Sequence, residues 1–240
     1  MGPVRNRGEP VVSEKAKMHV GSICPKILLD WAVQVYRFLW TVSQRSYWRL
    51  WDLWHGVETC KFEEISQQTV VGSNLAHGNR YEPSGFIRET LEELRIDYQR
   101  FGFIDLGSGK GRVLLKASEF PFRMVEGVEY SPELHRIAES NIRKFRLAKV
   151  RCRNVRSVLF DATEYSLPLI PLVVFLFNPF SGPVLTQAIH NIERSARQHP
   201  REILIVCCGT CMSRDDVERI PGIQTCWNRR YSGAYRLASG

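Results

Sequence analysis

The sequence predicts an α/β fold: a doubly wound, mostly parallel sheet of seven strands, closed by an antiparallel C-terminal hairpin and preceded by a helical extension. Three observations carry this. Apolar runs of strand length alternate with helical periodicity from about Tyr81 to the C-terminus. The runs in "LVVFLFNPF" and "REILIVCCG" are almost continuously apolar, as parallel strands buried on both faces must be. The first strand ends in "DLGSGKG", Asp105–Gly111, a glycine-dense turn that leads straight into a helical pattern.

The elements follow in order. Residues 1–26 are polar and poor in large apolar side chains, which predicts a disordered tail. They hold no apolar core of a signal peptide, and Asn6 stands where myristoylation needs Ser or Thr. Residues 27–80 form an aromatic-rich extension. Leu28, Trp31, Val35 and Leu39 recur at helical spacing, and Trp48, Trp51 and Trp54 follow. Asp30, Gln34, Arg37, Gln44, Arg45 and Arg49 interrupt the pattern, so it holds no apolar run long enough for a membrane span. The expectation is an amphipathic helix or helix pair acting as a lid; Trp and Arg on one helix also suit a membrane surface.

Ser84 can cap a helix that carries Phe86, Ile87, Leu91 and Leu94. "RFGFIDLG" then reads as a strand, "KGRVLLKASEF" as a helix and "FRMVEGVEY" as a strand. "SPELHRIAESNIRKFRLA" is a helix with Ser131 as N-cap and Pro132 at its first position. "VRSVLF" and "LVVFLFNPF" are strands, "GPVLTQAIHNIERSARQ" a helix and "REILIVCCG" a strand. "IQTCWNRRYSGAYRLA" reads as two strands around a turn at Ser232-Gly233.

The net charge of +8 permits an acidic partner and names none. Seven cysteines without a framework spacing suit reduced thiols in the cytoplasm, and the Cys208/Cys211 pair reads as small apolar residues at a strand end. The six histidines show no metal spacing, so no metal site is expected. The basic run Arg143, Lys144, Arg146, Lys149, Arg151, Arg153 and Arg156 reads as a solvated helix face and loop, with docking of an acidic protein or RNA as the alternative.

In open parallel sheets ligands bind at the carboxyl ends of the strands. Glycine there permits positive φ and lets a ligand approach the backbone. The dinucleotide fingerprint is G-x-G-x-x-G, whereas this loop is G-x-G-x-G with Arg112 where the last glycine would fall. Asp105 would repel a pyrophosphate but suits a cationic amino acid. S-adenosylmethionine is such a ligand, a sulfonium with an ammonium group and no phosphate. Glu129 ends the next strand, where a carboxylate accepts hydrogen bonds from ribose hydroxyls. Asp161 ends the third and can meet the adenine amino group.

"FIDLGSGKGRVLL", "VEGVEYSPEL", "FDATEY" and "LFNPF", in this order, resemble the motifs of class I, seven-strand S-adenosylmethionine-dependent methyltransferases, whose fold is Rossmann-like. The resemblance covers residues 81–240. "RYEPS" ahead of "DLGSGKGR", with "GVET" (Gly56–Thr59) before it, is most similar to the non-SET protein lysine methyltransferases and to small bacterial relatives of unassigned substrate. That group includes the histone enzyme of the disruptor-of-telomeric-silencing type and a mitochondrial relative acting on an ATP synthase subunit.

The resemblance implies that Asp105, Gly107 and Gly109 hold the amino-acid end of the cofactor, that Glu129 binds the ribose, and that Asp161 and Ala162 sit by the adenine. Ser108, Gly111 and Tyr130 complete that set. Tyr81 and Glu82 close over the methionine side, with Glu82 taking a proton or orienting the cofactor. Asn178, Pro179 and Phe180 line the methyl-transfer site. The implied reaction is methyl transfer to an amine, with a protein lysine first. The alternatives are a nucleic-acid base amino group, although no separate nucleic-acid-binding module is visible, and a catalytically silent binding protein. "NPF" has one proline where the nucleic-acid enzymes have two, and one asparagine where the histone enzyme has a pair, so the acceptor stays open.

Overall fold

The computed structural model describes Val35 and residues 46–61, 87–145, 150–180, 182–209, 220–229 and 232–237. Two compact units divide the chain, Met1–Gln44 and Arg45–Gly240, and the elements below all belong to the second. The tail expected over 1–26, the Ser84 cap, Tyr81 and Glu82 lie outside the described residues.

Seven strands make one sheet: β1 (Gly102–Leu106), β2 (Met124–Glu129), β3 (Val155–Leu159), β4 (Leu172–Phe177), β5 (Ile203–Cys208), β6 (Ile223–Asn228) and β7 (Ser232–Leu237). Their order is β3-β2-β1-β4-β5-β7-β6. β1 to β5 pair in parallel, and β7 runs antiparallel to both β5 and β6. This is the doubly wound, mostly parallel sheet with a closing hairpin that the alternation of elements predicts.

The continuous apolar strands are explained by two cores. Along β4, Leu172, Val174 and Leu176 join one cluster while Val173 and Phe175 join the other. α5 (Gly182–Gln198) covers the first face with Val184, Leu185, Ala188, Ile189 and Ile192. The other face is covered by α2 (Ile87–Leu94) through Ile87 and Leu91, and by α3 (Arg112–Ala117) through Val113, Leu114 and Ala117. α4 (Pro132–Lys144) lies beside β2 and β3. It begins as the sequence predicts: Pro132 opens it and Ser131 Oγ accepts from Leu134 N at 3.4 Å.

The hairpin differs from expectation in one respect. Its turn is not at Ser232-Gly233; Arg229 N donates to Ser232 O at 2.8 Å, and Ser232 and Gly233 already pair with Cys208 and Cys207. β7 must run the full length of β5, which pulls both residues into the ladder. Gly233 suits this place because a Cβ there would lie 2.5 Å from Tyr235 Oη.

One further helix, α1 (residues 46–55), belongs with the sheet domain. Trp51 packs with Val57, Leu115 and Phe145, and Trp48 borders the same cluster. Its other side carries Tyr47, Leu50, Leu53 and Trp54, all exposed. Among the described residues no helix is long and apolar enough to cross a membrane.

Candidate functional site

The strand order reverses at β1, which has β2 on one side and β4 on the other. A crevice opens outside the carboxyl ends at such a point. Two loops line it, and they touch. Gly107 has φ 81°, and a Cβ there would lie 2.5 Å from Pro179 Cβ, so the loop after β1 and the "NPF" corner after β4 can pack only with glycine at this position. Asn178 itself turns the chain at φ 43°, a conformation asparagine tolerates better than most residues. Its N–H donates to Cys208 O at 3.3 Å, and a side chain on Gly209, after β5, would run into its amide. The ends of β1, β4 and β5 thus meet around Asn178-Pro179.

Three carboxylates line the adjoining ends of β1, β2 and β3. Asp105 and Glu129 are 2% and 3% exposed, so both must be desolvated when charged. Burial, with the Glu129 charge adding to it, holds the Asp105 carboxyl well above the usual carboxylate range. Burial also pushes Glu129 up to about 7, although backbone N–H groups of Ser131, Gly109 and Tyr130 oppose the rise. Glu129 Oε2 accepts from Gly109 N at 2.7 Å and Oε1 from Ser131 N at 2.9 Å. The carboxylate therefore fastens the middle of the glycine loop to the end of β2. Asp161 Oδ1 accepts from Thr163 N at 2.8 Å and Thr163 Oγ1 at 2.7 Å, which caps the turn after β3. Tyr130 and Ala162 are buried next to these acids, and burial first, with Glu129 second, raises the Tyr130 phenol to about 12.

The structure brings Asp105, Gly107, Ser108, Gly109, Gly111, Glu129, Tyr130, Asp161, Ala162, Asn178 and Pro179 to this one rim. Phe180 follows them and is 6% exposed, in the same buried cluster as Ala162. Ser108 Oγ is buried without a hydrogen-bond partner among the described residues and sits where a side chain on Gly127 would be.

Several residues that shape the loop escaped the sequence reading. Lys110 lies inside it with a fully buried side chain and donates to Glu58 Oε1 at 3.1 Å. Arg112, read above only as a missing glycine, is 1% exposed and donates from Nε to Thr59 Oγ1 at 2.8 Å. Its guanidinium stacks over Trp48 at 4.5 Å from the ring centroid. Asp52 and Asn141 complete the set and are also buried. The visible signal was "GVET" itself, a polar tetrapeptide placed ahead of the loop motif. Among the described residues no group of three or more His, Cys, Asp or Glu side chains could hold a metal ion.

No protein-family model matches the chain, and no curated protein does. Among solved structures it is similar to the glycopeptide N-methyltransferase MtfA complexed with S-adenosyl-L-methionine (TM-score 0.47, 12% identity, 64% of this chain and 94% of that one). An RNA methyltransferase from Salinibacter ruber in complex with S-adenosyl-L-homocysteine gives a TM-score of 0.45 at 19% identity, over 67% of this chain and 95% of its own. Magnesium protoporphyrin IX methyltransferase (ChlM) from Synechocystis PCC 6803 gives 0.44 at 13% identity, over 62% and 74%. These likenesses concern the fold, and the three names carry three unrelated acceptors.

Proposed function

We propose that the protein is an S-adenosylmethionine-dependent methyltransferase that methylates an amine, with a protein lysine as the acceptor. One observation carries the cofactor assignment: two buried carboxylates, Asp105 and Glu129, stand behind a glycine loop at the switch point. Both are costly to ionise there, and a cation placed between them would relieve that cost. A pyrophosphate or triphosphate would add to it. The ligand that suits this donor set is cationic, carries a ribose and lacks phosphate.

The bound cofactor would supply a methyl group already activated on a sulfonium. The chain's own residues bind and align. Asp105 pairs with the ammonium group. Glu129 keeps lone pairs for ribose hydroxyls beside its two backbone bonds, since a carboxylate offers about four acceptor sites. Asp161 and Ala162 flank the adenine, and Tyr81 with Glu82 covers the methionine side. Alignment of the two reactants can lower the barrier by on the order of 7–11 kcal/mol.

The acceptor amine must be neutral, and a free lysine is only about 0.04% neutral at pH 7. An apolar entrance lowers that pKa by desolvating the ammonium. The Asn178 amide oxygen is the acceptor suited to take an N–H bond from the amine and aim its lone pair. Support for lysine comes from "RYEPS" and "GVET". A nucleic-acid base is the second reading, favoured by the +8 charge and the "NPF" corner. The thiols of Cys60, Cys152 and Cys226 fit a reducing cytoplasm.

Calorimetry tests the cofactor: S-adenosylhomocysteine is expected to bind, with NAD and ATP weak or silent. Tight NAD binding without S-adenosylhomocysteine binding would sink the assignment. Labelled S-adenosylmethionine offered with a fractionated lysate then separates the acceptors, by label in protein, in nucleic acid or in neither.

A further inference from the structure

We infer that residues 52–60 are positioning residues of the cofactor site: they hold the loop Gly107–Gly111 in its ligand-ready shape through two buried cations. The inference rests on reading that loop as the cofactor loop.

A buried charge is tolerated only when it is paired and hydrogen-bonded. Lys110 and Arg112 flank Gly111, and the side chains are 0% and 1% exposed. Partners for both come from one short segment ahead of the sheet. Lys110 Nζ reaches Glu58 Oε1 at 3.1 Å. Arg112 Nε reaches Thr59 Oγ1 at 2.8 Å and Nη2 reaches Cys60 Sγ at 2.7 Å, with Asp52 Oδ1 at 3.9 Å.

The segment is itself fixed. Thr59 has one hydroxyl hydrogen, which goes to Asp52 Oδ1 at 2.6 Å, so its oxygen is turned to accept from Arg112. Asp52 Oδ2 accepts Thr59 N at 2.6 Å and Cys60 N at 2.8 Å. Asn141 of α4 then joins segment to loop. It accepts from Glu58 N at 2.9 Å and donates to both Glu58 O and Lys110 O, each at 2.9 Å. On the loop's other side Gly109 N is held by Glu129. The loop is therefore clamped between the end of β2 and residues 52–60, and releasing one jaw frees the backbone that receives the cofactor.

The test uses the full chain with Thr59→Val, Thr59→Ser and Glu58→Gln. Hydrogen exchange of the ligand-free protein reads the loop, calorimetry reads S-adenosylhomocysteine affinity, and melting reads the fold. Thr59→Val keeps the shape and removes the relay. Exchange over residues 106–112 is expected to speed up while β4 and β5 stay as in the wild type. Affinity should fall about tenfold, the effect of depriving a charged donor of its acceptor. The loss should fall on KM for the cofactor more than on kcat, and Thr59→Ser should restore loop and affinity together. Glu58→Gln, at an exposed side chain, should weaken binding by about two- to threefold. Thr59→Val that melts earlier with loop exchange and affinity unchanged would overturn the inference, as would failure of Ser to rescue. If Thr59→Val does not fold, unchanged exchange in Glu58→Gln overturns it instead. A wild type that never binds S-adenosylhomocysteine defeats the cofactor reading, while loop exchange still decides the clamp.

Discussion

Replacing Glu129 by Gln should remove a pH-dependent loss of stability from the ligand-free protein. The carboxyl rises from an ordinary 4.5 to about 7 in the fold, chiefly through burial. The sign follows from linkage. Below pH 4.5 the group is protonated in both folded and unfolded chains, and its contribution is fully present. Between 4.5 and about 7 the unfolded chain sheds the proton while the folded one keeps it, so stability falls. Above about 7 the loss is complete, at about 1.4 kcal/mol per pH unit a total of about 3 kcal/mol. Glutamine has the shape of the protonated acid and no charge to desolvate, but its NH2 faces one of the two backbone N–H donors, a mismatch that costs about 1–3 kcal/mol at every pH. The variant should therefore start less stable than wild type below pH 4.5 and gain on it by about 3 kcal/mol between pH 4.5 and pH 8. Denaturant unfolding across pH 4–8 measures this, and the difference between the two proteins cancels the other titrating groups. S-adenosylhomocysteine affinity should fall in the same variant, since a strained binding group is traded for stability. A difference that does not change with pH would refute the account of Glu129 as a carboxylate held against its own solvation.

Asn178→Ala should leave S-adenosylhomocysteine affinity within about twofold and slow transfer by roughly 10–100-fold, as expected for loss of an aligning hydrogen bond; lost cofactor binding with an unchanged transfer rate would move the acceptor site elsewhere. Deleting residues 1–20 should be harmless. Deleting residues 1–60 should cost solubility and activity, because it removes Asp52, Glu58 and Thr59 and uncovers Leu115 and Phe145; a soluble, active product that has lost only vesicle binding would instead make the exposed side of α1 a membrane contact.

The parts of the fold legible in the sequence were those set by local chemistry. The two faces of a parallel sheet demand apolar side chains in both directions, so β4 and β5 could be read from their own residues. Ser131 and Pro132 announce the start of α4 in the same way. The hairpin turn was misplaced because Ser-Gly is a good turn by local preference, yet pairing with β5 extends β7 through both residues. At the rim, Asp105, Glu129 and Asp161 were legible as strand ends. The effect of the Glu129 charge on Asp105 was not, since it depends on how far each is removed from water.

The clamp was invisible for a different reason. Lys110 and Arg112 look like ordinary solvated cations at the start of a short helix, and composition gives no ground to bury them. They are buried because a segment some fifty residues earlier, Glu58 to Cys60, brings the acceptors to them, and Asn141, some thirty residues later, ties that segment to the loop backbone. Neither half is stable alone. Without the segment the two cations would lose Glu58, Thr59 and Cys60, and without the cations Asp52 would be a buried charge beside uncharged groups. Mutual need of this kind makes residues 46–61 part of the sheet domain rather than an appendage. It also explains why the boundary between the two compact units falls at Gln44 and not near Tyr81.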